Sequence, residues 1–120
     1  KEDYRLLFDI YKQERCASLA LLSLLDIGIH YYGMDLARVT ELLNAHGITD
    51  PDAIRDIYEY IIEEPCNYPK YYWGNMEILS LKELAKKEMG SNYSDYAFHQ
   101  FFLESGPSNF TSLQERLKEE

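Results

Sequence analysis

The stretch Cys16-Ala-Ser-Leu-Ala-Leu-Leu-Ser-Leu-Leu-Asp-Ile-Gly-Ile29 decides the fold. Its fourteen residues carry one charge, Asp26, and fall short of the roughly 17 to 25 apolar residues that a bilayer span needs. An apolar run of this length without alternation reads as a helix that is hydrophobic nearly all round, as expected of one surrounded by other helices. Worked outward, the helix extends from about Asp3 to Tyr32 and stops at Gly33. It is predicted to be the centre of a bundle.

The rest of the chain has the same vocabulary. Sixteen leucines stand against one valine and three threonines, which favours helices over strands. Asp35 caps a second helix with Leu36, Val39, Leu42 and Leu43 on one face, stopped by Gly47. Asp50-Pro51 opens a third, whose stripe is Ile54, Ile57, Tyr58, Ile61 and Ile62, ending near Glu64. Pro65 and Pro69 bracket an aromatic-rich loop, since each proline removes an amide donor and restricts the residue before it. A fourth helix follows from about Lys70 to Met89. Ser94 caps a fifth up to Glu104, Gly106-Pro107 breaks it, and a short charged helix, Ser112 to Lys118, comes last. The fold class predicted is all-α, an irregular bundle of about five to six helices.

The 120 residues fit one domain with one core, spanning 1–120. With 21 acidic and 12 basic side chains the net charge is −9, which disfavours nucleic acid as a partner, because phosphate binding needs clustered Lys and Arg. Cys16 and Cys66 are too far apart in sequence for a Cys-x-x-Cys metal knuckle. They read as free thiols in a reducing, cytoplasmic setting. No signal peptide or membrane helix is visible. The chain opens without methionine inside a helix, which predicts an excerpt from a longer protein.

Three histidines and one aromatic cluster could carry chemistry. The residues four past His30, His46 and His99 are Met34, Asp50 and Leu103, so no helical His pair can chelate a metal. The expected metal site in this segment is none. His30 and His99 each follow an aspartate by four, Asp26 and Asp95, the spacing for a carboxylate that orients an imidazole. The bland alternatives are a dipole partner in the last turn of a helix for His30 and a boundary histidine among Phe98, Phe101 and Phe102 for His99. His46, beside Gly47, reads only as a helix-end partner. Tyr68, Tyr71, Tyr72 and Trp73 gather where the proline loop enters a helix; their polar groups can donate to a substrate carbonyl, or their rings can simply close a helix junction.

Two of these segments, Leu25-Asp26-Ile27-Gly28-Ile29-His30 and Pro65-Cys66-Asn67-Tyr68-Pro69-Lys70-Tyr71-Tyr72-Trp73-Gly74, resemble the C-terminal part of the bacterial domain-of-unknown-function family eight hundred and eighty-five, whose members look like gluzincin-type zinc metallopeptidases. The family pattern is Asp-Thr-Gly-x-His, then Pro-Gly-Gln-x-x-x-Tyr-Lys-x-Gly, then Phe-His and a Gly-x-Pro break. Asp26, Gly28 and His30 match the first motif; Pro65, Tyr71 and Gly74 the second; Phe98 and His99 the third. Gly106 and Leu113 fit the tail. Ile27, Cys66, Asn67 and Tyr72 depart from it, the last replacing a lysine whose cation suits a substrate carboxylate. The resemblance covers Leu21 to Leu117.

The resemblance implies a C-terminal piece of a larger helical metallopeptidase-like fold. Its zinc and the His-Glu-x-x-His that binds it would lie upstream of this segment, with no cofactor in the segment itself. The partners implied are that upstream catalytic part and a peptide substrate. The segment's share of the cleft would be a donor wall, with Tyr71 and His30 as catalytic residues and Tyr68, Tyr72 and His99 binding substrate. The isolated segment would be inactive, would bind no zinc tightly, and would self-associate through apolar surface. The alternative is a non-catalytic acidic helical module whose aromatic loop docks a partner protein.

Overall fold

The computed structural model describes residues 2–119. They form six α-helices, α1 (Glu2–Tyr32), α2 (Leu36–Ala45), α3 (Pro51–Glu63), α4 (Asn67–Met89), α5 (Asp95–Ser105) and α6 (Phe110–Glu119), with a single 3₁₀ turn at Gly90–Asn92. There is no strand among the described residues. None of the helices is long and apolar enough to cross a membrane.

Local chemistry accounts for most of the boundaries. Asp35 accepts the amide of Arg38 at 2.9 Å, Asp50 that of Asp52 at 3.2 Å, and Ser94 that of Ala97 at 3.0 Å, each satisfying a donor that a helix start leaves free. α2 closes in a Schellman turn: Gly47 sits at φ +84°, its amide returns to Asn44, and that of Ile48 returns to Leu43.

The chain divides into two compact units, Lys1–Tyr72 and Trp73–Glu120, with the boundary inside α4. In the first, Leu25 of α1, Val39 and Leu43 of α2, and Ile54 and Ile61 of α3 form the core, and α3 packs against both α1 and α2. In the second, Leu81 and Ala85 of α4, Phe98 and Phe101 of α5, and Leu113 and Leu117 of α6 do so. Where length predicted one core, the buried side chains form two clusters. Each fully buried Leu, Ile or Phe contributes about 1.5–3 kcal/mol relative to exposure.

Three expectations are corrected. α1 is not enclosed: Leu24 and Ile27 are 54% and 49% exposed, and Tyr4, Leu6, Leu7, Phe8, Ile10 and Tyr11 are all more than half exposed. Its apolar run shows what the helix could bury, whereas only the face of Leu21, Leu22, Leu25 and Ile29 meets the core of its unit. α4 starts at Asn67, before Pro69 and not after it. Proline is tolerated in a first turn because its missing amide would have no intrahelical acceptor there. α6 starts at Phe110, two residues earlier than its charge pattern suggests, because Asn109 accepts the amide of Ser112 at 2.9 Å.

Candidate functional site

The C-terminal ends of α1 and α3 and the start of α4 are tied together within the first unit. His30 Nε2 lies 2.9 Å from the carbonyl oxygen of Ile61. Asp26, one turn earlier on α1 and only 2% exposed, accepts the backbone N–H of Cys66 at 3.2 Å through Oδ1. Its other oxygen, Oδ2, is buried without a partner among the described residues. The Asp26 to His30 spacing predicted a side-chain hydrogen bond. The two groups stand 3.9 Å apart, an ion-pair distance if the ring is charged, because the imidazole has turned to the backbone of α3.

Cys66 has φ +63°, a left-handed backbone that L side chains rarely adopt, and its thiol is exposed. It turns the chain from Pro65 into α4. Tyr68, in the first turn, is half-buried against the core of the first unit, edge-on to Tyr60 with ring centroids 5.8 Å apart. Burial, aided by Tyr60, raises its phenol above the usual tyrosine value, so it stays a hydrogen-bond donor well past neutral pH. Asn67 Nδ2 donates to the Tyr60 hydroxyl at 3.1 Å. Tyr71 is 58% exposed, and its hydroxyl has no hydrogen-bond partner among the described residues. Lys70 places Nζ 5.1 Å from the centroid of the Tyr71 ring, a cation–π contact. Tyr72 is half-buried, and Trp73 is 68% exposed.

Four of the five predicted site residues, His30, Tyr68, Tyr71 and Tyr72, thus belong to the first unit. His99 belongs to the second, where it is exposed on α5 beside Phe98, with ring centroids 5.9 Å apart. Asp95, expected to orient it, is taken by Lys82 Nζ at 2.9 Å and by the Tyr93 hydroxyl, also at 2.9 Å. The Lys82 bond, and after it the Tyr93 bond, hold the Asp95 carboxyl below the ordinary aspartate value. Lys82 and Tyr93 move the other way: the bond to Asp95 raises Lys82, and loss of hydration followed by the same carboxylate raises Tyr93.

Sequence reasoning missed three features. The carbonyl of Ile61 and the amide of Cys66 are backbone groups and leave no side-chain signal. Lys70 over Tyr71 is a side-chain placement that no local pattern requires. The third is a cleft of about 270 Å³ lined by Leu24, Ile27, Gly28, Tyr32, Met34 and Leu42, with Arg38 and Glu41 bonded to each other at its edge. A side chain at Gly28 would meet the end of Met34 at 2.8 Å, so the glycine leaves room for that thioether. None of the five predicted residues lines the cleft.

The zinc implied by the resemblance finds no site in this segment: among the described residues no three His, Cys, Asp or Glu side chains come together to hold a metal ion. The donor set available is phenol, ammonium and imidazole, suited to holding carbonyl and carboxylate oxygens.

A family described as bacterial protein of unknown function (DUF885) matches residues 12–117. No curated protein and no solved structure matches the chain.

Proposed function

The chain belongs to that bacterial family, and from this premise we propose that it forms one wall of the substrate cleft in a zinc-dependent peptidase, its metal ligands lying in other parts of the polypeptide. The observation that carries the reading is the pairing of Lys70 with Tyr71 at the start of α4. A free phenol and an ammonium on one exposed helix turn can address two oxygens of a peptide: the carbonyl under attack and a terminal carboxylate. Lys70 supplies the cation that the resembled pattern carries at position 72, where this chain has tyrosine.

Tyr71 donates to the oxyanion that develops on the scissile carbonyl as water adds to it. The Asp26 and His30 bonds support the backbone that presents it. When bound, the metal would supply the activated water; the residues of this chain orient the substrate.

The test compares peptides with free and amidated C-termini, using the full-length polypeptide that carries residues 1–120. Lys70→Ala should raise KM for the free acids about ten-fold or more and leave the amides unchanged, since only the former lose a charge-assisted contact. Equal effects on both would remove Lys70 from recognition of the carboxylate. A full-length protein that hydrolyses no peptide with zinc present would end the peptidase reading.

A further inference from the structure

α4 begins without any of the usual local caps. Cys66 precedes its first residue, and the carbonyl of Cys66 accepts the amide of Lys70 at 3.2 Å, which makes Cys66 the N-cap. A thiol is a weak acceptor for the free amides of a first turn. In a capping box, the third helical residue is a glutamate or glutamine that reaches back to the N-cap amide. In α4 that residue is Pro69, which has no side chain able to do so.

The missing carboxylate comes from forty positions away. Asp26 Oδ1 accepts the Cys66 amide, and the carboxylate lies at the helix end where the backbone dipole favours a negative charge. This carboxylate is 2% exposed, has one oxygen unpartnered among the described residues, and stands 3.9 Å from the His30 ring, which is turned to Ile61. Burial of so poorly compensated a group is unfavourable, so what it holds must matter to the structure around it. It holds the one left-handed non-glycine residue among those described.

We propose that Asp26 is the positioning residue of the Tyr71 site. Through the Cys66 amide it fixes the turn at residue 66 and the first turn of α4, and so sets where the Tyr71 hydroxyl and Lys70 ammonium stand. The assignment of a site to Tyr71 rests on the peptidase reading, whereas the hold of Asp26 on α4 does not.

The experiment uses the full-length protein with Asp26→Leu, which removes the acceptor at similar size, and Asp26→Asn, which keeps an oxygen acceptor without the charge. Backbone hydrogen exchange should accelerate at least ten-fold at residues 66, 67, 68 and 70 in Asp26→Leu, stay unchanged in α6, and take an intermediate rate at those four amides in Asp26→Asn. Peptide turnover should drop about a hundred-fold in Asp26→Leu with KM little moved, the loss expected when a reacting group is misplaced by an ångström. Adding Tyr71→Phe should then cost little more, since the two variants disable one device. Unchanged exchange at those four amides would overturn the proposal, as would full multiplication of the two turnover losses. Should Asp26→Leu fail to fold, Asp26→Asn carries the same comparisons. A wild type without peptidase activity would overturn the Tyr71 site, and the exchange pattern would still decide whether Asp26 holds α4.

Discussion

The imidazole of His30 supplies a donor that α3 lacks: its Nε2 stands 2.9 Å from the carbonyl oxygen of Ile61, whose ordinary partner four residues on is Pro65, without an N–H. A carbonyl can only accept, so Nε2 carries the hydrogen of this bond. His30→Ala leaves a part-buried carbonyl unpaired and should cost about 1 to 2 kcal/mol. Calorimetric unfolding of the variant measures it. A midpoint unchanged from wild type would mean that water replaces the imidazole without loss.

Cys66 stands where the resembled pattern has glycine, and its φ of +63° shows why glycine suits the position. A left-handed L residue costs roughly 1 to 2 kcal/mol, part of which glycine returns through its freer unfolded chain. Cys66→Gly should therefore stabilise the protein by about 0.5 to 1 kcal/mol, seen as a higher denaturant midpoint at unchanged slope. A lower midpoint would show that contacts of the cysteine side chain outweigh its backbone strain.

The helix ends that side chains write were legible in the sequence, while those that depend on tertiary partners were not. Asp35, Asp50 and Ser94 cap where their residue types predicted, because a cap is a bond within three residues. Pro69 reads as a loop residue by its type, whereas its cost depends on which helical position it occupies, and the turn before that position is bonded to Asp26, forty residues away. Hydrophobic periodicity shows that Leu24 and Ile27 could be buried, yet cannot show whether a neighbour exists to bury them. For the candidate site, Tyr68 and Tyr71 were legible as an aromatic cluster. Lys70 was not, because nothing local requires an ammonium to fold over the next ring.

In the second unit, Asp95 should govern the acid limb of stability. Its folded carboxyl titrates below the ordinary value of 3.8, held there first by Lys82 and then by Tyr93. As pH falls the unfolded chain takes up the proton first, so the contribution is complete above about 4 and vanishes as pH drops through the lower folded value. Lys82 is raised above 10.5 by the same contact, so its contribution is present below that value and lost as pH climbs through the higher folded one. The difference in melting temperature between wild type and Asp95→Asn should be flat between these limits, shrink at both ends, and weaken in salt because Asp95 is exposed. A difference that persists at pH 2 would assign it to packing and not to charge.

Tyr71 and Tyr72 offer a matched pair for the catalytic reading. Adjacent helical residues point about 100° apart, so both hydroxyls cannot serve one oxygen, and only Tyr71 is exposed while Tyr72 is half-buried. Tyr71→Phe keeps the ring under Lys70 and removes one donor, so the unfolding midpoint should hardly move. Turnover of peptides by the full-length protein should fall on the order of a hundred- to a thousand-fold, with KM much less affected, as for loss of a single oxyanion donor. Tyr72→Phe should leave turnover within a few-fold of wild type. Equal losses at both positions would point to damage to the start of α4, and near-normal turnover for Tyr71→Phe would return the aromatic cluster to packing alone.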